Sequence, residues 1–221
     1  MAQDHPNLTV VESRAVSYLL LKLRNKDTKA DEFQRIGDRM MRILGEEALC
    51  RLPSVVEGEV QTPCGTVTGP VDSPTPGPPV CIVSIVRSGD ILQEAVRVLS
   101  PGFSVGKILI QRDESREDKP AVLYYKKLPK NINQSFVLLV DPMLATAGSA
   151  IRAIQVLKEN GVSTQNIMFL NLICCPEGLQ AMAKLFPEIH IITGCVDSHL
   201  NEDKYIVPGL GDYGDRYYGT E

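Results

Sequence analysis

The stretch V-L-L-V-D-P-M-L-A-T-A-G-S-A at residues 137–150 decides the fold of this chain. Four apolar residues end at the carboxylate of Asp141, a loop of small residues follows, and a helical pattern begins directly after the loop. A continuous apolar run is typical of a strand that is buried on both faces of a parallel sheet. A strand, a small-residue loop and a helix in this order predict a phosphate site, because backbone N–H groups and the helix dipole converge on an anion there.

The loop itself combines room for an anion with two hydroxyl groups, in Ala145, Thr146, Ala147, Gly148 and Ser149. It contains neither the Walker pattern G-x-x-x-x-G-K-[ST] nor the dinucleotide pattern G-x-G-x-x-G. Asp141 would repel a phosphate unless the ligand places polar groups between them. A ribose 5′-phosphate does so, because its 2′- and 3′-hydroxyls can donate to the carboxylate. The alternative is that Asp141 caps an ordinary Pro-Met-Leu turn.

From Val80 onward, the chain alternates between two patterns. Apolar runs predict strands at 80–86, 105–111, 136–140, 167–173 and 189–195. Helical spacing predicts helices at about 90–99, 149–160 and 177–185. Tyr124 and Tyr125 are predicted to lie in an additional antiparallel hairpin. This alternation predicts an α/β fold with a doubly wound, mostly parallel sheet flanked by helices, and with ligands at the carboxyl ends of the strands.

The first third of the chain has a different character. Apolar residues at helical spacing predict two helices around 16–23 and 33–44, and Pro- and Gly-rich stretches at 62–70 and 73–79 predict a β-hairpin arm and a loop. We expect a single domain over residues 1–221. Within it, 1–79 holds the N-terminal helices and the arm, 80–195 the α/β core, and 196–221 a C-terminal binding segment.

Composition excludes several classes of function. The chain has 221 residues, a net charge of −4 and a pI near 5.5, which argues against a nucleic-acid binder with a broad basic surface. Without an apolar run of about 18 residues or a signal-peptide core, we expect a cytoplasmic protein that does not bind membranes. The cysteines lack a C-x-x-C pattern, and buried thiols are predicted for Cys81, Cys174 and Cys195. The three histidines are too scattered to predict a metal site.

One arginine is a candidate for binding a diphosphate, and a second opens a charged run. Arg87 follows the predicted strand 80–86, at the same sheet edge as Asp141, and its planar fork can donate two parallel hydrogen bonds. The adjacent Gly89 permits a close approach of backbone to ligand. Arg112 begins the charged run R-D-E-S-R-E-D-K. The alternatives are a surface arginine at 87 and a solvated charged loop after 111.

The C-terminal string Y-I-V-P-G-L-G-D-Y-G-D-R at residues 205–216 is the second strong motif. Three glycines within six residues, after a proline, expose backbone donors and acceptors. Such groups can match the alternating acceptor, donor and acceptor edge of uracil without a charged side chain, and they would reject the 4-amino donor of cytosine. The alternative is a Gly-rich tail packed as a turn.

Both strings resemble those of the uracil phosphoribosyltransferases. In that family the first is usually D-P-M-L-A-T-G-G-S and binds 5-phosphoribosyl 1-diphosphate (PRPP), and the second is commonly Y-I-[IV]-P-G-L-G-D-A-G-D and binds uracil. This chain departs at Ala147, where Gly is usual, and at Tyr213, where Ala is usual. Ala147 would be strained if its position needs positive φ. Residues 84–89 are similar to the family's diphosphate-side loop P-I-x-R-A-G, with Ser84 and Ser88 in place of Pro and Ala.

The resemblance implies the type I phosphoribosyltransferase fold and the reaction of uracil with PRPP to give UMP and diphosphate, a pyrimidine salvage step. It implies catalytic roles for Asp212, Arg87 and Arg112. It implies PRPP contacts at Arg87, Arg112, Asp141, Pro142, Met143, Leu144, Ala145, Thr146, Ala147, Gly148, Ser149 and Asp212. It implies uracil contacts at Tyr205, Ile206, Gly211, Asp212 and Tyr213.

The resemblance also implies Mg²⁺ as cofactor, carried by PRPP and reaching Asp212 through a water rather than through a direct protein ligand. It implies a homodimer or homotetramer and GTP as an allosteric activator. Lys22, Arg24, Lys26 and Lys29 are candidates for part of a GTP site, with a solvated helix end as the alternative. The competing hypothesis for the whole chain is a catalytically silent homologue that senses PRPP or UMP, and a purine enzyme is disfavoured by the C-terminal string.

Overall fold

The computed structural model describes residues 5–112 and 121–220, except for the side chain of Arg112. The strands of these residues are Leu8–Val10 (β1), Val55–Thr62 (β2), Gly65–Asp72 (β3), Val80–Val86 (β4), Ser104–Arg112 (β5), Ala121–Lys127 (β6), Phe136–Val140 (β7), Met143–Leu144 (β8), Ile167–Cys174 (β9), His190–Val196 (β10), His199–Leu200 (β11) and Ile206–Val207 (β12). The α-helices are Arg14–Arg24 (α1), Ala30–Leu49 (α2), Gly89–Leu99 (α3), Gly148–Glu159 (α4), Pro176–Leu185 (α5) and Tyr213–Tyr218 (α6). Ile132–Gln134 and Thr164–Asn166 form short 3-10 turns.

The central sheet has the strand order β1-β10-β9-β7-β4-β5-β6, with β8 added beside β9. All of its pairings are parallel except that of β5 with β6. The five predicted core strands and three predicted core helices are therefore confirmed to within about one residue, and so is the antiparallel placement of Tyr124 and Tyr125 in β6.

Two hydrophobic layers cover the sheet, one on each face. In β7 every residue is buried, and neighbours along the strand face opposite layers: Leu138 and Val140 pack with α1, α2 and α3, whereas Val137 and Leu139 pack with α4 and α5. A strand buried on both sides needs apolar residues at every position, which explains the unbroken run in the sequence. The predicted doubly wound α/β fold is confirmed.

The direction of winding reverses at β4, and this reversal positions the site. Strand β4 has β5 on one side and β7 on the other, and all three are parallel. Ser84 of β4 lies beside Val140 of β7, so the loops that follow the two strands leave the same edge of the sheet side by side. In open α/β sheets, this crevice is where ligands bind.

Two elements stand apart from the central sheet. Strands β2 and β3 pair only with each other, in full register from Val55 opposite Asp72 to Thr62 opposite Gly65, and form the predicted hairpin arm. Strands β11 and β12 form a second small hairpin before the C-terminal helix α6. Within the described ranges, no helix is both long and apolar enough to cross a bilayer.

The predicted buried thiols are confirmed for Cys81 and Cys174, which are fully buried. For Cys195 the prediction was wrong, since it is partly exposed. Its side chain leaves the sheet face near the end of β10, where Arg24 and Asp197 contact the sulfur at 3.4 and 3.5 Å.

Candidate functional site

A cavity of about 820 Å³ lies where the predicted loops meet. Its wall is formed by Ser88, Gln111, Asp141, the run from Met143 to Ala150, the run from Asp203 to Ile206, and the run from Gly211 to Gly214. The fold thus brings together two motifs that are more than 50 residues apart in the sequence. All five predicted uracil residues and most of the predicted PRPP residues line this cavity.

Among the described side chains, two predicted PRPP residues do not line it. Pro142 is buried in the chain path from β7 to β8, where its carbonyl accepts hydrogen bonds from the N–H groups of Leu172 and Ile173 at 3.1 and 3.0 Å. Arg87 turns towards the C-terminal helix, as described below. Arg112 ends strand β5, but its side chain and the charged loop at 113–120 lie outside the described residues.

Asp141 lies at the end of β7 and is only 8% exposed. Its Oδ1 accepts from the Ser88 hydroxyl at 3.3 Å and from the Met143 N–H at 3.4 Å. Burial raises the pKa of this carboxyl to about 7; the two hydrogen bonds oppose the rise, and the charge of Asp212 adds to it. Ser88, which stands where the family usually has Ala, therefore joins the two strand-end loops by a hydrogen bond.

A buried polar chain supports the backbone of Asp141 from below. The Asn171 side-chain amide donates to the Asp141 carbonyl at 3.1 Å, and the Thr193 hydroxyl donates to Asn171 Oδ1 at 2.8 Å. Both side chains are fully buried, in β9 and β10. Buried polar groups persist where they are fully hydrogen-bonded, and here they fix the start of the phosphate loop.

The phosphate loop ends at the N-terminus of α4. Ala147 occupies the N-cap position with φ 63° and ψ 3°, in the left-handed region, and no side chain caps the helix. The Gly148 N–H contacts the Thr146 hydroxyl oxygen at 3.5 Å, and the other first-turn N–H groups of α4 are left for a ligand. Thr146, Gly148 and Ser149 all line the cavity. The sequence raised positive φ at Ala147 as a condition for strain, and the structure meets that condition.

The residues around the loop after β4 make close contacts within the protein. A Cβ on Gly89 would lie 2.5 Å from the Val140 carbonyl oxygen, so the close approach that glycine permits here is to the neighbouring strand rather than to a ligand. Ser84, which replaces the usual Pro, donates to Asp90 Oδ1 at 2.5 Å, and Asp90 pairs with Lys107 at 2.8 Å.

The C-terminal loop is held by an ion pair that the sequence did not reveal. Arg24, at the end of α1, contacts both carboxylate oxygens of Asp197 at 2.6 and 2.8 Å. Asp197 also accepts from the Gly209 N–H at 2.8 Å, and Arg24 donates to the Gly209 carbonyl at 2.7 Å. Gly209 has φ 57°, and a Cβ there would meet the Ile206 carbonyl oxygen at 2.0 Å, so this turn requires glycine.

This ion pair settles the place of Arg24, which was considered for a GTP site or a solvated helix end. The solvated helix end was wrong for Arg24, because its side chain is only 16% exposed and its guanidinium binds Asp197 and the Gly209 carbonyl. A part for Arg24 in a GTP site stays a prediction. No local sequence pattern links residues 24 and 197, since they meet only through the packing of α1 beside the end of β10.

Asp212 is exposed at the cavity, whereas the side chain of Tyr213 lies in the core. The Oδ1 atom of Asp212 caps α6 by accepting from the Asp215 N–H at 2.9 Å. The Tyr213 side chain is fully buried against Phe33, with ring centroids 5.1 Å apart, so only its backbone can face the cavity. The larger side chain that replaces the usual Ala is therefore accommodated in the core and not in the cavity.

Sequence reasoning did not predict Gln111, Asp203 or Lys204 as lining residues. Gln111 ends the predicted strand 105–111, so the rule that ligands bind at strand ends could have identified it. Lys204 sits in the turn before Tyr205 with φ 66°, and it reaches the cavity only because β11 and β12 fold back as a hairpin.

Comparison with known proteins agrees with this geometry. A family model described as uracil phosphoribosyltransferase matches residues 10–220. The chain is 44% identical over 216 residues to a uracil phosphoribosyltransferase of Dictyostelium discoideum, covering 97% of each chain. It is 46% identical over 199 residues to one of Saccharomyces cerevisiae, covering 89% of this chain and 88% of the relative. A solved structure of the Aquifex aeolicus protein AQ2163 superposes with a TM-score of 0.79 at 29% identity, covering 97% of this chain and 99% of that one. This chain therefore belongs to the uracil phosphoribosyltransferase family.

Proposed function

We propose that this protein transfers the 5-phosphoribosyl group of PRPP to N1 of uracil, giving UMP and diphosphate. The observation that carries the proposal is the single cavity shared by the phosphate loop after β7 and the Gly-rich segment around β12. Relatives that are named for this activity cover nearly the whole chain. In the reaction, a bond forms between uracil N1 and C1′ of the ribose, the bond from C1′ to the diphosphate oxygen breaks, and N1 loses its proton.

The phosphate end of PRPP is assigned to the loop from Ala145 to Ser149. Support comes from the uncapped first turn of α4 and from the two hydroxyls beside it, which can donate to a 5′-phosphate. Met143 and Leu144 complete this side of the wall. Asp141 is assigned to the ribose 2′- and 3′-hydroxyls, and the raised pKa of its buried carboxyl makes this contact weaken as the pH falls below about 7.

The diphosphate is assigned to the arginines and to Mg²⁺. Asp141 and Asp212 both line the cavity with carboxylate oxygens, the ligand type that Mg²⁺ prefers. The described residues hold no group of three or more His, Cys, Asp or Glu side chains placed to bind a metal. Asp212, which is exposed at the cavity, is assigned a contact through water to an ion that PRPP carries. When bound, Mg²⁺ offsets negative charge on the departing diphosphate. Arg87 and Arg112 are assigned the same electrostatic role.

Uracil is assigned to the segment from Tyr205 to Tyr213. Ile206, Gly211 and Tyr213 line the cavity, and the Gly209 turn between them is fixed by the ion pair of Arg24 with Asp197. A rigid backbone edge can discriminate bases, because a mismatched donor would leave buried polar groups unpaired.

Asp212 offers a test of the site that spares the fold. Asp212→Asn keeps a good N-cap for α6, because asparagine and aspartate cap helices about equally well. We expect the melting temperature to stay near that of the unsubstituted protein while diphosphate release collapses. Turnover near the original rate would remove Asp212 from the mechanism and leave it as a cap.

Diphosphate release from PRPP and Mg²⁺ tests the reaction itself, with uracil, cytosine, adenine, hypoxanthine and orotate offered separately. Release with uracil alone is expected. Release with a different base would contradict the assignment of the C-terminal segment. No release with any base, together with measurable binding of PRPP or UMP, would favour the catalytically silent homologue.

The proposal extends to assembly and setting. A homodimer or homotetramer is supported by the hairpin arm, where Val56, Val60 and Val67 are 41%, 47% and 56% exposed on a two-stranded sheet that is marginal by itself. A cytoplasmic setting is supported by the six cysteines, all of which are free. Adding GTP to the release assay tests activation, and sedimentation of the protein with Val60→Lys tests the arm.

A further inference from the structure

The guanidinium of Arg87 is held by the C-terminal segment. Its Nη2 donates to the Asp215 carboxylate, and its Nη1 donates to the Thr220 hydroxyl at 3.0 Å. The Thr220 hydroxyl in turn donates to the same Asp215 oxygen at 2.7 Å, so the three side chains form a closed set of hydrogen bonds. The ring of Tyr218 lies beneath, with its centroid 5.3 Å from the guanidinium carbon.

Asp215 is itself fixed from both sides along the chain. Its N–H donates to the Asp212 carboxylate at 2.9 Å, and its carbonyl accepts from the Thr220 N–H at 3.0 Å. Because its backbone is held at both groups, the Asp215 side chain can orient a partner. An arginine side chain without such a partner samples many rotamers.

The contact lies at the wall of the cavity. A Cβ on Gly214, which lines the cavity, would be 3.3 Å from Arg87 Nη2 and 3.3 Å from Asp212 Oδ1. Arg87 therefore sits directly behind the rim that carries the uracil contacts. The two known bonds use one donor on each terminal nitrogen, and a guanidinium has five donors in total, so donors remain for an anion.

We propose that Asp215 is a positioning residue for PRPP, acting through Arg87, although it belongs to the segment that carries the uracil contacts. This inference rests on the proposed function and on the diphosphate role of Arg87 within it. The Asp215 and Thr220 contacts hold the guanidinium at the rim in one orientation, so that a diphosphate meets a preorganised fork rather than a freely rotating side chain. The C-terminal segment thereby serves both substrates.

Asp215→Asn tests this, with Asp31→Asn as the matched control. Asp31 also forms an ion pair with an arginine, Arg35 at 3.3 Å, but both side chains are more than 70% exposed on α2. We expect Asp215→Asn to lower kcat/KM for PRPP about tenfold or more, since misplacement of a binding group by about 1 Å can be worth up to about a hundredfold. The KM for uracil should stay within about twofold. The control should change neither.

A raised KM for uracil with unchanged PRPP kinetics would overturn the inference, because Asp215 would then serve only its own segment. If Asp215→Asn proves unstable by thermal melting, Thr220→Val gives a second measurement. It removes one of the two contacts to Arg87, and a smaller loss in the same direction is expected. Asp215→Glu should recover part of the PRPP kinetics, because it restores the charge.

A double-mutant cycle with Arg87→Ala separates this inference from the proposed function. In the Arg87→Ala background, Asp215→Asn should have no further effect on PRPP kinetics, because no guanidinium is left to position. Independent, additive losses would overturn the inference while leaving the reaction in place. Arg87→Ala with unchanged PRPP kinetics would overturn it as well. Failure of the unsubstituted protein to release diphosphate with uracil would instead refute the proposed function.

Discussion

Replacing Asp197 with alanine should be among the most damaging single changes outside the hydrophobic core. The side chain is 4% exposed and binds the Arg24 guanidinium through both oxygens, and it also accepts from the Gly209 N–H. Asp197→Ala leaves a largely buried guanidinium, itself 16% exposed, without its carboxylate, and leaves a buried N–H without an acceptor. Both losses loosen the Gly209 turn, which positions the segment assigned to uracil.

The size of the effect follows from burial. Breaking a buried ion pair by removing one partner costs about 3–5 kcal/mol, against about 0.3–0.5 kcal/mol for an exposed i,i+4 pair. For a chain of this length, each kcal/mol shifts the melting temperature by about 2–4 °C. Asp197→Ala should therefore lower the melting temperature by about 6–20 °C. The KM for uracil should rise as the Gly209 turn loosens.

The pH dependence adds a second signature. Burial raises the pKa of Asp197, but the hydrogen bonds from Arg24 and from the Gly209 N–H outweigh it and leave the pKa below the ordinary value of 3.8. A carboxyl with a lowered pKa stabilises the fold above the pKa of the unfolded chain, and this contribution is lost as the pH falls through the folded value. The difference in unfolding free energy between Asp197→Ala and the unsubstituted protein should thus be largest above about pH 5 and should shrink at lower pH.

Urea unfolding and thermal melting, each over a pH series, measure both quantities. Asp31→Ala is the control for losing an exposed carboxylate that pairs with arginine. An Arg24→Met, Asp197→Leu double variant should be less destabilised than Asp197→Ala, because no charge is left buried without a partner. An unfolding free energy of Asp197→Ala within about 1 kcal/mol of the unsubstituted protein would refute the reasoning, since a surface pair would lose no more than that.

Three further predictions concern the loops and their support. Gly37→Ala would place a Cβ 2.4 Å from the Tyr213 hydroxyl oxygen and should lower the unfolding free energy by about 1–3 kcal/mol. Adding Tyr213→Phe should restore most of the lost unfolding free energy, and urea unfolding that shows no recovery would contradict the contact. Burial holds the pKa of Asp141 near 7, above its ordinary 3.8, so stability should fall as the pH rises between these values. Asp141→Asn should therefore melt higher than the unsubstituted protein at about pH 8 and show little difference at about pH 4, whereas an equal effect at both would contradict burial as the cause. Ala147→Gly relieves about 1–2 kcal/mol of backbone strain at a left-handed residue. It also raises the conformational entropy of the unfolded chain and removes a buried methyl group, and both effects oppose this gain. The unfolding free energy should therefore change by less than about 1 kcal/mol, and diphosphate release should persist.

The strands and helices were predictable because their signals are local. In β7 each residue is apolar since each is buried on one face or the other, and the acid that follows marks the sheet edge. The assignment of residues 137–150 and 205–216 to one site was likewise predictable, because both strings resemble one family. The catalytic and binding roles given to these residues, and the single domain over 1–221, stay predictions.

Contacts between distant side chains were not predictable in the same way. Ser88 appeared as a departure from the usual loop, yet its hydroxyl joins Asp141, 53 positions away. Arg87 was expected at the cavity, but its guanidinium lies on Asp215 behind the rim. A long arginine can reach several partners from one backbone position, so its orientation depends on which carboxylate the fold brings near.

The sequence by itself determined the order of the elements, the buried strands and the residue types at the two loops, because burial and backbone geometry leave periodic and compositional marks within a few residues. Only the tertiary structure decided which distant residues lie side by side: Arg24 with Asp197, Arg87 with Asp215, and Tyr213 with Gly37. Each of these contacts joins segments more than 120 residues apart. Such a pairing leaves no periodic mark in either segment, because it depends on how helices pack beside the sheet.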